Sequence, residues 1–395
     1  SNVNGLIPFM DAHVVFDEYH EYIGMEIFNL LFAELISNKN MRKKYDKNTL
    51  LVSATPHYSY LRNILDVHEN DVIEMASFNQ RDYKIEFIDY DESVVDGNPF
   101  YQPYDEQTFI ITNTAQTAQL GFIYQKDNEN SVLFHSKYKR SDKKAWFNEV
   151  YESFKKNGTQ KFDVLRSGPI VQASLNISSK NMLSEMTSAE NMLQRLGRLD
   201  RFGESDTINV LKVAITDNVK KGSCKGSLAF FLNQLHSLQS TKAWYDFLQN
   251  KLDSSTFKLT KIYQLYKEFH QSQKDEKSAL EQDMDKALKK SIDLLNSKVT
   301  EPTKVIKAKP SEAKRAKISK NSLRGDSRFV QLAVLNLNDF NQPIFENEYA
   351  YKPPLDDTTE YDNLTESLNI IRDVGLINFI AQKHGNVDST HPVKG

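Results

Sequence analysis

Hydrophobic and polar positions follow two different periods along the first half of the chain. Short apolar, β-favouring runs predict strands, and most are followed by runs whose apolar residues recur at helical spacing. The predicted strands lie at 13–16, 50–52, 84–88, 108–112, 131–134, 162–165 and 208–215. The predicted helices lie at 24–36, 56–65, 114–124, 142–156 and in a segment that ends at Gln194. This alternation predicts an α/β fold with a parallel sheet and helices on both faces.

The second half of the chain has a different pattern. Beyond about Asp217 it is helical, with a charge-laced run from Lys261 to Lys298. Residues 298–324 are rich in lysine and have no apolar periodicity, which predicts an exposed linker. Its charge fits either a nucleic-acid backbone or simple solvation, and the pattern does not separate the two. A strand at 329–335 and a helix at 364–384 predict a small terminal domain.

Composition narrows the class of protein. Of the 395 residues, 39% are hydrophobic and 26% are charged, and the net charge is −3, so the chain is neither disordered nor basic throughout. Any nucleic-acid surface must therefore be local. The single cysteine, Cys224, cannot form an internal disulfide, which fits a reducing cytoplasm. The absence of a long apolar run or a leader pattern predicts no membrane span and a cytoplasmic location.

An arginine-rich stretch precedes the last predicted strand of the sheet. Residues 191–201 set Gln194, Arg195, Arg198 and Arg201 around Gly197. A guanidinium is permanently charged and planar, and it suits a phosphate oxygen. The alternative interpretation of such a stretch is a solvated helix end, and the stretch alone does not decide between the two. A phosphate site therefore requires that the rest of the chain supply the other contacts of the anionic partner.

Two carboxylates at a strand end supply the complementary chemistry. A nucleoside triphosphatase needs a carboxylate for magnesium, a polar group that orients water, and cations over the γ-phosphate. Asp17 and Glu18 fit the first two roles, and His20 is placed to sense the phosphate. Arg198 and Arg201 are expected one helical turn apart as arginine fingers, with Gln194 a turn earlier to contact the phosphate or its water.

These segments together resemble a known family. Asp17–His20, Ser53–Thr55 and Gln194–Arg201 resemble motifs II, III and VI of the superfamily-two DExH helicases. Residues 131–137 resemble the second-lobe segment that contacts the DNA backbone. Residues 164–177 resemble motif V of one branch, the CRISPR-associated helicase of type I interference systems.

The resemblance implies a domain arrangement built on RecA-like lobes. It assigns 1–80 to the C-terminal half of lobe 1, 81–105 to a linker, 106–217 to a complete lobe 2, 218–298 to a helical extension, 299–325 to a basic linker and 326–395 to a C-terminal accessory domain. It also implies that ATP and Mg²⁺ are bound, with Asp17 as the protein ligand of the metal.

Residue roles also follow from the resemblance. The expected catalytic residues are Asp17, Glu18, His20, Gln194, Arg198 and Arg201. The expected coupling residues are Ser53, Thr55, Ser174 and Asn176. The expected nucleic-acid contacts are Thr112, Asn113, Thr114, His135 and Ser136. The implied substrate is the single DNA strand displaced in an R-loop by a guide-RNA surveillance complex, with a separate nuclease subunit as a further partner.

The sequence departs from the family pattern in four places. It has no Gly-Lys-Thr or Gly-Lys-Ser phosphate loop and no His-Asp dipeptide of an HD nuclease. Asn176 stands where the family usually has aspartate, and Gly168 where threonine is common. We therefore expect a fragment that is inactive alone, with the phosphate loop N-terminal to it. Two alternatives stay open: another DExH helicase of DNA repair or RNA metabolism, and a non-catalytic module that binds nucleic acid or docks on a complex.

Overall fold

The structure is a computed structural model, and its described residues form two compact units. It describes residues 12–25, 28–41, 48–104, 106–125, 127–138, 140–172, 175–252, 255–300, 335–337 and 343–345. Unit 1 combines the described residues up to Phe78 with Thr187–Gln194 and those from 218 to 300. Unit 2 combines Asn79–Met186 with Arg195–Asp217 and the described residues beyond 328.

Strands and helices alternate through most of the described chain. The strands are β1 (Val14–Asp17), β2 (Thr49–Val52), β3 (Asp82–Asp89), β4 (Thr108–Ile111), β5 (Ser131–Phe134), β6 (Val164–Ser167), β7 (Asn181–Glu185), β8 (Asn209–Ile215), β9 (Phe257–Lys258), β10 (Leu335–Leu337) and β11 (Pro343–Phe345). The α-helices are α1 (Phe28–Met41), α2 (Tyr58–Asn63), α3 (Ala115–Gln125), α4 (Arg140–Phe154), α5 (Ala189–Leu196), α6 (Asp217–Lys220), α7 (Ser227–Gln234), α8 (Leu238–Lys251), α9 (Leu259–Ser272) and α10 (Ala279–Thr300).

Unit 2 is built on a parallel sheet. Its strands lie in the order β5, β6, β4, β7, β8, β3, and each adjacent pair is parallel. The four residues of β4 and of β6 are buried, as expected for central strands covered on both faces. The sheet confirms the predicted α/β class with a parallel sheet flanked by helices.

The segment predicted as a linker, 81–105, is part of this unit. Strand β3 pairs in parallel with β8 along seven residues, from Tyr83 opposite Asn209 to Asp89 opposite Ile215. Phe100 is buried in a core cluster with Ile110, Val164, Leu183 and Ala214. The Arg166 guanidinium donates to the carbonyls of Phe100 and Gln102, so the end of the segment is fixed by hydrogen bonds as well. The structure thus differs from the linker prediction because this segment contributes a strand and a core aromatic residue.

One strand was missed from the sequence. Asn181–Glu185 forms β7 between β4 and β8, where a continuous helix up to Gln194 was predicted. Helix α5 begins only at Ala189. The run is short, and its methionine, leucine and glutamate are good helix formers, so local propensity pointed to the wrong element.

Unit 1 combines a short parallel strand pair with helices. β1 pairs with β2 from Val14 opposite Thr49 to Asp17 opposite Val52. Its core is formed mainly by aromatic and aliphatic side chains from α1, α2 and the turn after β1, and it includes one methionine of α10: Tyr19, Phe32, Ile36, Tyr60, Leu61, Leu65 and Met284. The predicted helical extension therefore packs in the same unit as the first strands.

The C-terminal predictions fall mainly outside the described residues. Of the predicted strand at 329–335 only Leu335 is described, as the first residue of β10, which pairs antiparallel with β11. The basic linker beyond residue 300 and the helix at 364–384 lie outside them. Within the described part of the chain, no helix combines the length and apolar character needed to span a membrane.

Candidate functional site

The carboxylates of the predicted motif II lie where β1 ends. Asp17 is the last residue of the strand and is exposed. Glu18 follows with φ 51° and ψ 42°, a left-handed conformation that is uncommon for a non-glycine residue. The chain then enters a 3₁₀ turn, Tyr19–Tyr22, which buries His20. A strained residue directly after a parallel strand thus separates an exposed carboxylate from a buried imidazole.

The imidazole of His20 contacts two other predicted motifs within unit 1. Its Nδ1 lies 2.7 Å from Ser53 Oγ, and its Nε2 contacts the side-chain amide of Gln194. Ser53 Oγ also accepts a hydrogen bond of 2.9 Å from the Thr55 amide. With the Gln194 amide nitrogen donating to Nε2, the neutral tautomer protonated on Nδ1 satisfies both contacts. The structure thus brings together residues of the segments predicted as motifs II, III and VI.

Both carboxylates are suited to a hard cation and its nucleotide. Glu18 Oε2 lies 3.4 Å from His20 Nδ1 and is buried without a hydrogen bond from any described residue. The described residues contain no cluster of three His, Cys, Asp or Glu that could hold a metal alone. Mg²⁺ commonly binds one or two carboxylates and takes its other ligands from phosphates and water. Asp17 therefore fits a metal that arrives with a nucleotide.

Arg195 is an internal anchor of unit 2. It is buried, and its Nη2 donates to Asn113 Oδ1 at 2.7 Å. Its Nη1 donates to Ser184 Oγ and to the Glu185 carbonyl, each at 3.0 Å, and its Nε donates to Gln172 Oε1 at 3.1 Å. These bonds hold Arg195 at the carboxyl ends of β4 and β7 within unit 2. Of the three arginines, Arg195 therefore has a structural role.

A buried carboxylate lies beside this anchor. Glu185 accepts from the Asn113 amide at 2.6 Å and from the Tyr90 hydroxyl at 2.8 Å. Burial raises the pKa of Glu185, and the two hydrogen bonds and the charge of Arg195 only partly offset that effect. Burial lowers the pKa of Arg195 to about 10, which leaves it charged at neutral pH. The pair is a cooperative polar core of the unit.

Arg198 and Arg201 do not lie on a helix, in contrast to the prediction. Helix α5 ends at Leu196, and the chain then turns, with Leu199 forming an isolated parallel bridge to Ser179. Arg198 is buried and donates to the Gln172 carbonyl at 2.8 Å. Arg201 is half-buried, and its Nε donates to Asn176 Oδ1 at 2.6 Å. The helical-turn argument for their common direction is therefore wrong.

Asn176 retains a contact with the arginine stretch. Its side-chain oxygen accepts a hydrogen bond from the Arg201 guanidinium. Ser174, the other coupling residue predicted from motif V, lies outside the described residues. Gln172 was not singled out from the sequence. Its side chain accepts from Arg195 and its carbonyl from Arg198, a role that no sequence signal would have indicated.

Three of the predicted nucleic-acid contacts are buried. Thr112 donates to the Thr114 carbonyl at 2.7 Å, and Asn113 donates to the Met186 carbonyl at 2.8 Å. His135 is fully buried, lies 3.0 Å from Gln119 and stacks on Tyr138. These three side chains serve the core of unit 2 and do not form a surface, which corrects their prediction as contacts.

The other two predicted contacts are accessible. Thr114 is half-buried, and its hydroxyl accepts from the Thr117 amide in the first turn of α3. Ser136 is exposed beside the exposed Lys137, whose amide donates to His135 Nδ1. The buried histidine thus holds a short polar loop at the carboxyl end of β5.

Comparisons with known proteins agree with the motif assignment. Residues 105–204 match the family model described as CRISPR-associated nuclease/helicase Cas3, C-terminal. The chain is 25% identical over 207 residues to a putative CRISPR-associated nuclease/helicase Cas3 of Methanocaldococcus jannaschii, covering 48% of this chain and 27% of that protein. It is 29% identical over 100 residues to the CRISPR-associated endonuclease/helicase Cas3 of Escherichia coli K12, covering 24% of this chain and 11% of that protein.

Solved structures share the fold. The crystal structure of T. fusca Cas3 with AMPPNP has a TM-score of 0.54 at 17% identity, covering 72% of this chain and 38% of that one. A chain of a CRISPR RNA-guided surveillance complex in a pre-nicking state has a TM-score of 0.56 at 16% identity, covering 74% and 41%. The present chain thus spans 27% and 11% of the curated relatives, and well under half of these structures. On this evidence the chain resembles the C-terminal helicase part of the CRISPR-associated helicases of superfamily two, the family that its motifs predict.

Proposed function

We propose that this chain belongs to an ATP-dependent DNA helicase or translocase of a type I CRISPR interference system. In this proposal the protein acts on the single strand displaced in an R-loop, in defence against foreign DNA. The match of residues 105–204 to a Cas3 family model supports the branch. The contacts of His20 support the activity.

The double contact of His20 is the observation that carries the proposal. Its partners lie 33 and 174 residues away in the sequence, so only the fold brings them to one ring. For a purely structural histidine, any polar neighbours would satisfy the two nitrogens. Here both partners are residues that the motif pattern had marked for catalysis or coupling. That coincidence favours a working helicase unit over a module that only docks.

Asp17 and Glu18 divide the work on the nucleotide. Asp17 is exposed at the strand end and would hold Mg²⁺, which would neutralise phosphate charge. Glu18 orients or deprotonates water, and its buried, unbonded oxygen suits that role. His20 responds to the state of the phosphate, and its contacts with Ser53 and Gln194 transmit that change to the other two predicted motifs.

The arginines of unit 2 contribute positive charge. Arg198 and Arg201 act on the γ-phosphate in this proposal, and Arg195 does not, because its donors are committed inside the unit. Arg201 Nε donates to Asn176 Oδ1, which holds its side chain in place.

Nucleic-acid contact is assigned to the accessible loop residues. Thr114 and Ser136 reach the phosphate and sugar of the strand, with Lys137 adjacent as an exposed cation. Contacts of this kind read backbone and not base sequence, so movement along the strand is independent of sequence. The buried Thr112, Asn113 and His135 support that loop from inside.

The substrate is tested by comparing two DNA states. Affinity is measured for free single-stranded DNA and for a guide-RNA surveillance complex that carries an open R-loop, with the longest native polypeptide that contains this sequence. We expect tighter binding to the R-loop complex by about tenfold or more. Equal affinity for both would contradict the CRISPR assignment and favour a general DNA-repair or RNA helicase. If the CRISPR assignment holds, the protein should recruit a separate nuclease subunit on the R-loop complex and not on free single-stranded DNA.

A further inference from the structure

Tyr266 is a buried residue of α9, outside every predicted helicase motif, whose hydroxyl contacts two residues beside predicted motifs within unit 1. It lies 3.1 Å from the Pro56 carbonyl and 3.1 Å from Glu190 Oε1. Its ring is 1% exposed. One hydroxyl proton is thus shared between the loop that follows motif III and the helix that contains the start of motif VI.

Glu190 is held by two residues of the same helix. Besides Tyr266, it lies 3.4 Å from His270 Nε2, one turn further along α9. Burial alone would raise the pKa of Glu190, but the contact with His270 outweighs that effect and holds the pKa well below its usual value. Glu190 is therefore an ionised carboxylate that α9 fixes in place.

Each contact of Tyr266 ends close to one partner of His20. Glu190 precedes Gln194 by one turn of α5, so the two side chains share a face of that helix. Pro56 directly follows Thr55, whose amide donates to Ser53 Oγ. The hydroxyl therefore fixes both the loop that carries Ser53 and the helix that carries Gln194.

We propose that Tyr266 and Glu190 are positioning residues that hold Ser53 and Gln194 at the two nitrogens of His20. Helix α9 thereby sets the geometry of the contact between motifs II, III and VI, although it carries no motif residue itself. The consequence for ATP turnover rests on the proposed function. The consequence for the His20 ring concerns this chain alone and is tested separately.

The first test reads the His20 ring directly. The nine histidines are labelled with ¹⁵N, and His20 is assigned by the signals lost in His20→Gln. In Tyr266→Phe we expect the His20 nitrogen shifts to move and exchange of its ring proton to rise about tenfold, the factor expected from losing one buried hydrogen bond. Glu190→Gln, which keeps an acceptor but removes the charge facing His270, should give the same direction of change.

Tyr60→Phe is the matched control. Tyr60 is also buried in unit 1, and its hydroxyl donates to the Asn29 carbonyl at 2.5 Å. Asn29 is not part of a predicted motif. This variant should lower the unfolding temperature to a similar extent and leave the His20 signals unchanged. Unchanged His20 signals in both Tyr266→Phe and Glu190→Gln would overturn the proposal. Equal changes in Tyr60→Phe would also overturn it, since they would reflect general loosening.

The second test uses the longest native polypeptide that contains this sequence. We expect Tyr266→Phe to lower kcat for ATP about fivefold or more with KM within about twofold, because the residue acts on geometry and not on nucleotide binding. Tyr60→Phe should change neither. A raised KM with unchanged kcat would contradict the positioning role. Absence of ATP hydrolysis in the wild type would defeat the proposed function, while the His20 signals would still decide the positioning role.

Discussion

His20 Nδ1 lies 2.7 Å from Ser53 Oγ, and the Thr55 amide donates to the same oxygen. One hydroxyl therefore joins the turn after β1 to the loop after β2. Because β1 and β2 are parallel neighbours, their carboxyl ends meet at one edge of the strand pair. The contact follows from the topology as much as from the residues.

Removing this hydroxyl should destabilise unit 1. Ser53→Ala leaves both the His20 nitrogen and the Thr55 amide without their partner, at a cost of about 1–2 kcal/mol in the free energy of unfolding. Urea denaturation measures the effect. Ser93→Ala is the control, because Ser93 is exposed in the turn after β3, and it should cost no more than about 0.5 kcal/mol. Equal costs would show that the Ser53 bond contributes nothing specific.

Arg195 should tolerate no uncharged replacement. Arg195→Met leaves Glu185 buried without its compensating charge and leaves Asn113 Oδ1 without a donor. Removing one partner from such a buried set costs about 3–5 kcal/mol. Lys161→Met removes the exposed pair with Glu149 and the contact of Lys161 Nζ with the Phe162 ring, and it should cost under about 1 kcal/mol by the same denaturation measurement. A small effect at Arg195 would contradict its role as an anchor.

The accessible and buried residues of the predicted nucleic-acid surface should behave differently. Ser136→Glu places a negative charge in the exposed loop and should weaken single-stranded DNA binding about tenfold at low salt. Asn113→Ala should lower stability by about 1–3 kcal/mol without a specific change in affinity, because its amide is bonded to Met186 and Arg195. Fluorescence anisotropy and thermal unfolding separate the two effects. Loss of affinity in a fully folded Asn113→Ala protein would restore Asn113 as a direct contact.

Acid should destabilise unit 1 through His57. Burial lowers the pKa of His57 to about 4. The neighbouring His270 also lowers this pKa, whereas Glu190 raises it by a smaller amount. The unfolded chain takes up this proton below about pH 6.5 and the folded chain only near pH 4, so stability falls as pH drops through that window. The expected loss between about pH 7 and about pH 5 is on the order of 2 kcal/mol.

His57→Asn tests the assignment. Asparagine can still accept the hydrogen bond that His57 Nδ1 takes from the Tyr60 amide at the start of α2, but it does not titrate. Thermal unfolding at both pH values should show a smaller loss in the variant. Glu190 also favours the folded state, and because its pKa is depressed this contribution is lost only below about pH 4.5, outside this window. An unchanged pH dependence would remove His57 as its cause.

The periodicity of the chain predicted most of the fold. Strand β5 was predicted with the bounds that it has, and β8 within one residue, because their apolar runs are bounded by polar turns. Strand β7 was missed because a short strand buried on both faces lacks the alternation that marks a strand. Burial accounts for only part of the apolar runs of β1 and β2, since Val15, Leu50 and Val52 are 40–63% exposed.

Some of the predicted site residues are in contact, whereas others have structural contacts that the sequence did not indicate. The motif pattern placed His20, Ser53 and Gln194 in one site, and the structure brings them together. The motif pattern did not show that Arg195 has a structural role that differs from the roles predicted for Arg198 and Arg201. Whether a polar side chain after a strand faces a ligand or the core depends on contacts from distant segments, as Asn113 and His135 show. Local sequence carries no signal for such contacts.

DNA-stimulated ATP hydrolysis tests the central claim most directly. It is measured on the longest native polypeptide that contains this sequence, with Glu18→Gln and Arg198→Ala as variants. The wild type should hydrolyse ATP in the presence of single-stranded DNA, and each variant should lose about a hundredfold or more of that rate. Both variants should bind the DNA within about twofold of the wild type, because neither residue is assigned to the strand. Absence of stimulated hydrolysis in the wild type, or a wild-type rate in Arg198→Ala, would contradict the account.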